Sequence, residues 1–115
     1  MSAPAPLRGD VWDLSFDPTI GHEQAGARPA LIVSVDIFND GPAELVVAIP
    51  LTRTQRRVRW HVPVSAPEGG LVSESFIQCE NVRSVSKRRL KRLRGRVSEE
   101  TMQQVEDRLR ILLGL

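Results

Sequence analysis

The sequence predicts a mainly β domain, a small antiparallel barrel with a C-terminal α-helix. Three observations carry this. Short β-branched apolar runs recur with turn residues between them, the last eighteen residues change to helical spacing, and helices do not alternate with strands as a βαβ fold requires. At 115 residues the chain holds one core and is too short for a second module. Residues 1–8 read as a flexible tail that lacks the basic and apolar segments of a secretory signal, and residues 9–115 as the single domain. No apolar run approaches the ~20 residues of a membrane span, so a cytoplasmic protein with no membrane partner is the expectation.

The first strand is GDVWDLSF, Gly9 to Phe16, where Val11, Leu14 and Phe16 alternate imperfectly with polar residues. ALIVSVDI, Ala30 to Ile37, is β-branched and starts after Pro29, which favours extended backbone before it. FNDGPAE carries an Asp-Gly turn signal, and ELVVAIPL, Glu44 to Leu51, completes a hairpin of two buried strands. TRTQRR is a polar excursion. In VRWHVPV, Val58 to Val64, the residues Val58, Trp60, Val62 and Val64 belong to a buried face and Arg59, His61 and Pro63 to a wet one, with Pro63 marking an edge strand.

After the turn APEGG, LVSESFIQCENVRSVS supplies one long or two short strands, and KRRLKRLRGR, with Leu90 and Leu93 three apart, suits a single helical turn. SEETMQQVEDRLRILLGL is a helix. Ser98 is its N-cap, Glu99 and Glu100 suit the positive end of the macrodipole, and Gly114 is the stop. Met102, Val105, Leu109, Leu112 and Leu113 form the stripe that docks on the sheet.

Cys79 is the single cysteine, so no internal disulfide forms, and its apolar setting FIQC indicates a buried thiol rather than a nucleophile. With His22 and His61 the only histidines, and no closely spaced Cys/His set, nothing suggests a metal or another cofactor. The net charge of +2 conceals an asymmetry: −5 over residues 1–50, +9 over 51–96 and −2 over 97–115. Eleven of the sixteen basic residues lie in 53–59 and 87–96, a density that either nucleic-acid phosphate would neutralise or the acidic N-terminal half or a partner protein would balance. Only two tryptophans and three phenylalanines are present, too few for extensive base stacking.

The loop GHEQAGARP is long for a strand connection and sets His22, Glu23, Gln24 and Arg28 among small residues. Arg28 precedes Pro29, so its backbone is extended and its guanidinium fork is offered from the base of a strand, either to phosphate or to Glu23 as a fastening. Thr52 ends the next strand and is followed by Arg53, Arg56 and Arg57; if the two strands pair, Arg28 and Thr52 share a groove.

The ordered set RGDVWDLSFDP, GHEQAGARPALIVS, VVAIPLTRT and CENVRSVS before the final helix resembles the MazF/PemK (Kid-like) family of toxin endoribonucleases from type II toxin-antitoxin systems. The resemblance runs from about Arg8 to the C-terminus. It implies an SH3-like barrel of the CcdB/PemK type, a homodimer, metal-independent cleavage of single-stranded RNA at short motifs, and a MazE-like antitoxin partner. It carries catalytic roles onto Arg28 and Thr52, with Glu23 at a further active-site position. Kid-like members emphasise the histidine, here His22, with an arginine and an aspartate at the positions of Gln78 and Glu80. Because Gln78 is uncharged, the Arg28/Thr52 scheme is the expected one. Ser75 and Asn81 fall near RNA-contacting positions, and Gln24, Arg53, Arg56, Arg57, Gln78 and Glu80 complete the candidate substrate-binding set.

The chemistry implied is attack of a ribose 2′-OH on its own phosphate. Arg28 suits charge stabilisation, Thr52 a hydrogen bond to the same oxygens, and Glu23 or His22 the base. Two other classes compete: a gyrase poison of the CcdB type, which shares the fold but lacks the loop chemistry, and a non-catalytic nucleic-acid-binding module.

Overall fold

The computed structural model describes residues 5–15 and 27–115. The elements run β1 (Asp10–Leu14), β2 (Arg28–Ile32), α1 (Asp36–Asn39), β3 (Leu45–Thr52), β4 (His61–Val64), β5 (Ser75–Gln78), β6 (Arg83–Ser86), β7 (Leu90–Arg96) and α2 (Glu99–Leu113). All pairings are antiparallel, in the order β4-β5-β3-β2-β1-β7, with β6 also on β3.

β3 pairs with β2 along one edge and changes partner along the other. Leu45 to Ala48 face β6, and Leu51 and Thr52 face β5. Pro50, which has no amide to give, sits at that change. Alternation then buries both sheet faces. Val11, Leu31, Ile49 and Leu51 join one cluster under α2, while Trp12, Leu14, Ala30, Ile32, Val46 and Ala48 join the other.

The sheet is mainly β as expected but does not close into a barrel: β4 and β7 remain separate ends. Against β7 lies instead a 3-10 turn, Glu68–Gly70. The fit is tight, since a Cβ on Gly70 (φ +70°) would stand 2.1 Å from the carbonyl oxygen of Arg94.

Three local expectations are corrected. The strand expected over Ala30 to Ile37 ends at Ile32 because polar side chains capture the backbone. Asn39 is buried and donates to the Ser34 carbonyl at 3.0 Å, the Ser34 hydroxyl accepts from Val47 N at 2.9 Å, and Asp36 accepts from Arg8 N at 2.8 Å. Of the segment expected as a helical turn, Lys87–Arg89 forms a 3-10 turn, but Leu90–Arg96, with both leucines, forms β7, because its alternate arginines meet acids on β1. Arg96 pairs with Asp10 at 2.7 Å, and Arg94 and Arg92 with Asp13 at 3.0 and 3.3 Å. The strand expected from Val58 starts only at His61, and His61 is buried rather than wet because Glu80 accepts at its Nε2 at 2.9 Å. Trp60 packs half-buried on the core, with the Arg59 guanidinium 5.2 Å from its ring centroid. Pro63 is exposed on end strand β4, and the FIQC to SVS region forms two short strands, as the residue pattern suggests.

In α2, Ser98 caps the helix by accepting from Thr101 N at 3.1 Å, and Gly114 closes it at φ 72° in the left-handed region. Met102 and Val105 are buried and Leu109 packs beside them, but Leu113 is 57% exposed, so the stripe docks only along its first turns. Glu68 ties the 3-10 turn to this helix, accepting from Ser98 N at 2.8 Å and from the Thr101 hydroxyl at 2.6 Å. Partial burial opposes its charge, but hydrogen bonds from the Ser98 amide and from Thr101 and Ser98 outweigh that, and its pKa is lowered.

A lowered folded pKa means that these bonds stabilise the protein above the ordinary carboxylate value of ~4.3 and lose that effect as pH falls through the lowered value. Denaturant titrations of the wild type and Glu68→Gln will therefore show a stability gap that is widest near neutrality and shrinks in acid. A gap constant with pH would contradict this role.

Candidate active-site groove

Arg28 opens β2, and Thr52 ends β3. Continuing the register Ile32↔Ala48, Leu31↔Ile49, Ala30↔Pro50 by two residues places Arg28 across from Thr52. Arg28 Nη2 donates to the Leu51 carbonyl at 3.3 Å, holding the guanidinium over the end of β3, and the Thr52 hydroxyl accepts from Thr54 N at 3.2 Å. Among the described residues no carboxylate pairs with Arg28.

Two depressions meet at this pair. A groove of about 480 Å³ is lined by Arg28, Arg53 and Arg94, the hydroxyls of Thr52, Thr54, Ser73 and Ser75, and apolar Leu71 and Val72. A second, of about 290 Å³, is lined again by Arg28 and Thr52, together with Arg56, Gln78, Asn81 and Arg83. No Asp or Glu lines either among the described residues. Guanidinium forks, hydroxyls and amides without a carboxylate are a donor set for phosphate.

The structure thus gathers Arg28, Thr52, Arg53, Arg56, Ser75, Gln78 and Asn81 from the sequence-derived set. Ser75 is buried and spends its hydroxyl on the Ser73 carbonyl at 3.1 Å. Arg57 lines neither groove and holds a positive φ of 54°. Glu80 also lies apart from both, its carboxylate engaged by His61. His22, Glu23 and Gln24 fall outside the described residues. Arg94, Ser73 and Arg83 were not singled out in the sequence. Arg94 sat inside a segment whose leucine spacing suggested a helical turn, and nothing in its neighbours signalled a strand irregularity.

The dense basic run is only partly free for a ligand, because Arg92, Arg94 and Arg96 share Asp13 and Asp10 within the sheet. Cys79 is fully buried, and its thiol is pushed up to about 12 by that burial and then by the Glu80 charge, so it is no nucleophile at neutral pH.

The chain is thus a small, mainly β protein, an open antiparallel sheet whose adjacent strand ends present an arginine and a threonine between two arginine-lined grooves. The chain belongs to the PemK-like, MazF-like toxins of type II toxin-antitoxin systems, whose family model matches residues 7–113. It is 34% identical over 109 residues to Endoribonuclease EndoA of Bacillus subtilis (strain 168), with 94% of each chain covered. Among solved structures it is similar to MazF (Form-I) from Deinococcus radiodurans, with 31% identity, TM-score 0.83, and 98% of this chain and 100% of that one covered. It is also similar to an endoribonuclease in complex with its cognate antitoxin from a Mycobacterial species, with 32% identity, TM-score 0.78, and 96% and 97% covered.

The burial of Cys79 predicts that a thiol reagent at mildly alkaline pH labels it fully in denaturant and at a rate at least about a hundredfold lower in the native protein. Fast native labelling would contradict the buried, protonated thiol.

Proposed function

We propose that this toxin is a metal-independent endoribonuclease that cuts single-stranded RNA, including mRNA in the cytoplasm, and so stops translation and growth. The observation that carries the reading is the placement of Arg28 across from Thr52, on adjacent strand ends where two grooves meet that no carboxylate lines among the described residues. A single strand laid across that ridge brings one phosphate to Arg28 and Thr52, with its neighbours in the grooves on either side. Relatives named as endoribonucleases, and the match to a toxin family, support the same reading.

The step is attack of the ribose 2′-oxygen on the adjacent phosphorus. The P–O5′ bond breaks, and a 2′,3′-cyclic phosphate and a 5′-hydroxyl result. One proton leaves the 2′-OH and another reaches the 5′-oxygen, so the reaction needs no external nucleophile. Arg28 offers a planar pair of N–H groups to the phosphoryl oxygens as their charge grows, and the Thr52 hydroxyl donates to the same group. Arginine stays protonated at neutral pH, so its role is electrostatic rather than proton transfer. His22 or Glu23, from the same connection as Arg28, supplies the base.

A homodimer and a MazE-like antitoxin partner belong to this proposal. The relatives' structures include a MazE–MazF pair from Deinococcus radiodurans, 30% identical with TM-score 0.83. An antitoxin with an acidic segment would suit the same cationic grooves and block RNA by occupying them.

Incubation with a single-stranded RNA pool in EDTA should yield fragments with 5′-hydroxyl ends. Arg28→Ala should lower the rate about 10²–10³-fold while the protein stays folded. RNA left intact by the wild type, or full activity in Arg28→Ala, would overturn the assignment.

A further inference from the structure

We propose that Arg94 forms a second phosphate subsite, which holds a phosphate flanking the scissile one in bound RNA. This rests on the RNA-cleavage reading above and adds a residue and a location to it.

The first support is the irregular pairing of β7 with β1. Val11 pairs with Gly95 and the next residue, Trp12, pairs with Leu93, so Arg94 is the residue left over. An extra residue of this kind bends the strand and re-aims its side chain. Here the side chain lines the larger groove, with Ser73 beside it.

The second support is how the guanidinium is held. Nη1 donates to Asp13 at 3.0 Å and Nη2 to the Gly70 carbonyl at 3.2 Å, which fixes the fork while each Nη keeps a second hydrogen. Arg94 Nε and the Ser73 hydroxyl have no partner but are buried, so the donors this wall offers to the groove are the remaining Nη hydrogens of Arg94. Asp13 is shared with Arg92, one carboxylate against two guanidiniums, and the site keeps a net positive charge.

The third support is the division of the grooves. Arg28 and Thr52 line both, whereas Arg94 lines only the larger. β7 is separated from β2 by β1, so their axes stand roughly 10 Å apart and the two arginines are anchored on different walls. One phosphate at Arg28 and Thr52 therefore leaves Arg94 for the next along the strand.

The test uses an RNA oligonucleotide spanning a cleavage site mapped in the pool experiment, made uncleavable by a 2′-deoxy group at the cut position. Its affinity is measured against salt for the wild type, Arg94→Gln and Arg94→Lys. It is also measured with single linkages replaced by neutral methylphosphonates. Arg94→Gln should bind about tenfold more weakly, with a log–log salt slope shallower by about 0.7, the value for one phosphate on a single strand, while Arg94→Lys keeps the slope. One flanking linkage should be sensitive to neutralisation in the wild type and insensitive in Arg94→Gln.

An unchanged slope, or an equal methylphosphonate penalty in both proteins, would show that Arg94 acts only through Asp13 and Gly70. If Arg94→Gln fails to fold, a wild type indifferent to every flanking methylphosphonate overturns the subsite by itself. A wild type that binds no RNA at all would remove the cleavage reading first.

Discussion

The groove depends on β3 pairing with three neighbours at once. Its edge against β2 fixes the register that sets Arg28 opposite Thr52, and its last two residues against β5 fix the floor on which Ser75 and Gln78 stand. A one-residue slip would turn Ile49 and Leu51 out of one core and move Val46 and Ala48 out of the other. Burial on both faces therefore locks the register, and the register in turn locks the geometry of the pair.

The basic residues divide between those paired within the sheet and those left exposed. The acidic first half and the basic middle of the chain meet at β1 and β7. Asp10 is only 3% exposed and accepts from Leu7 N at 2.8 Å and Trp12 Nε1 at 3.2 Å as well as from Arg96. A carboxylate so placed is costly to leave unpaired, so Arg96 is committed to the fold. Arg53, Arg56, Arg57 and Arg59, by contrast, are exposed on the connection after β3, where ion pairs contribute little and a polyanion can be met.

Much of this was legible in the sequence. The cap, first turn and glycine stop of α2 are local signals that tertiary packing did not override, and the β-branched runs marked strands whose bounds packing then moved. The nearness of Arg28 to Thr52 followed from treating two β-branched runs as neighbours. What was not legible depends on contacts distant in the chain. Leu90 and Leu93 suggested a helical turn, and only the acids on β1, about 80 residues away, explain a strand there. His61 looked wet by alternation, and only Glu80 explains its burial. The extra residue at Arg94 exists only in the pairing of two strands, so no window of sequence could show it.

The proposed cleavage requires Arg28 and Thr52 to act on one phosphate. The most direct measurement is a double-mutant cycle on single-turnover RNA cleavage, comparing the wild type, Arg28→Ala, Thr52→Val and the double variant. Two groups on the same phosphoryl oxygens should be coupled, so the double variant should lose much less rate than the product of the two single losses. A loss equal to that product would mean that the two residues act independently and would contradict the shared site.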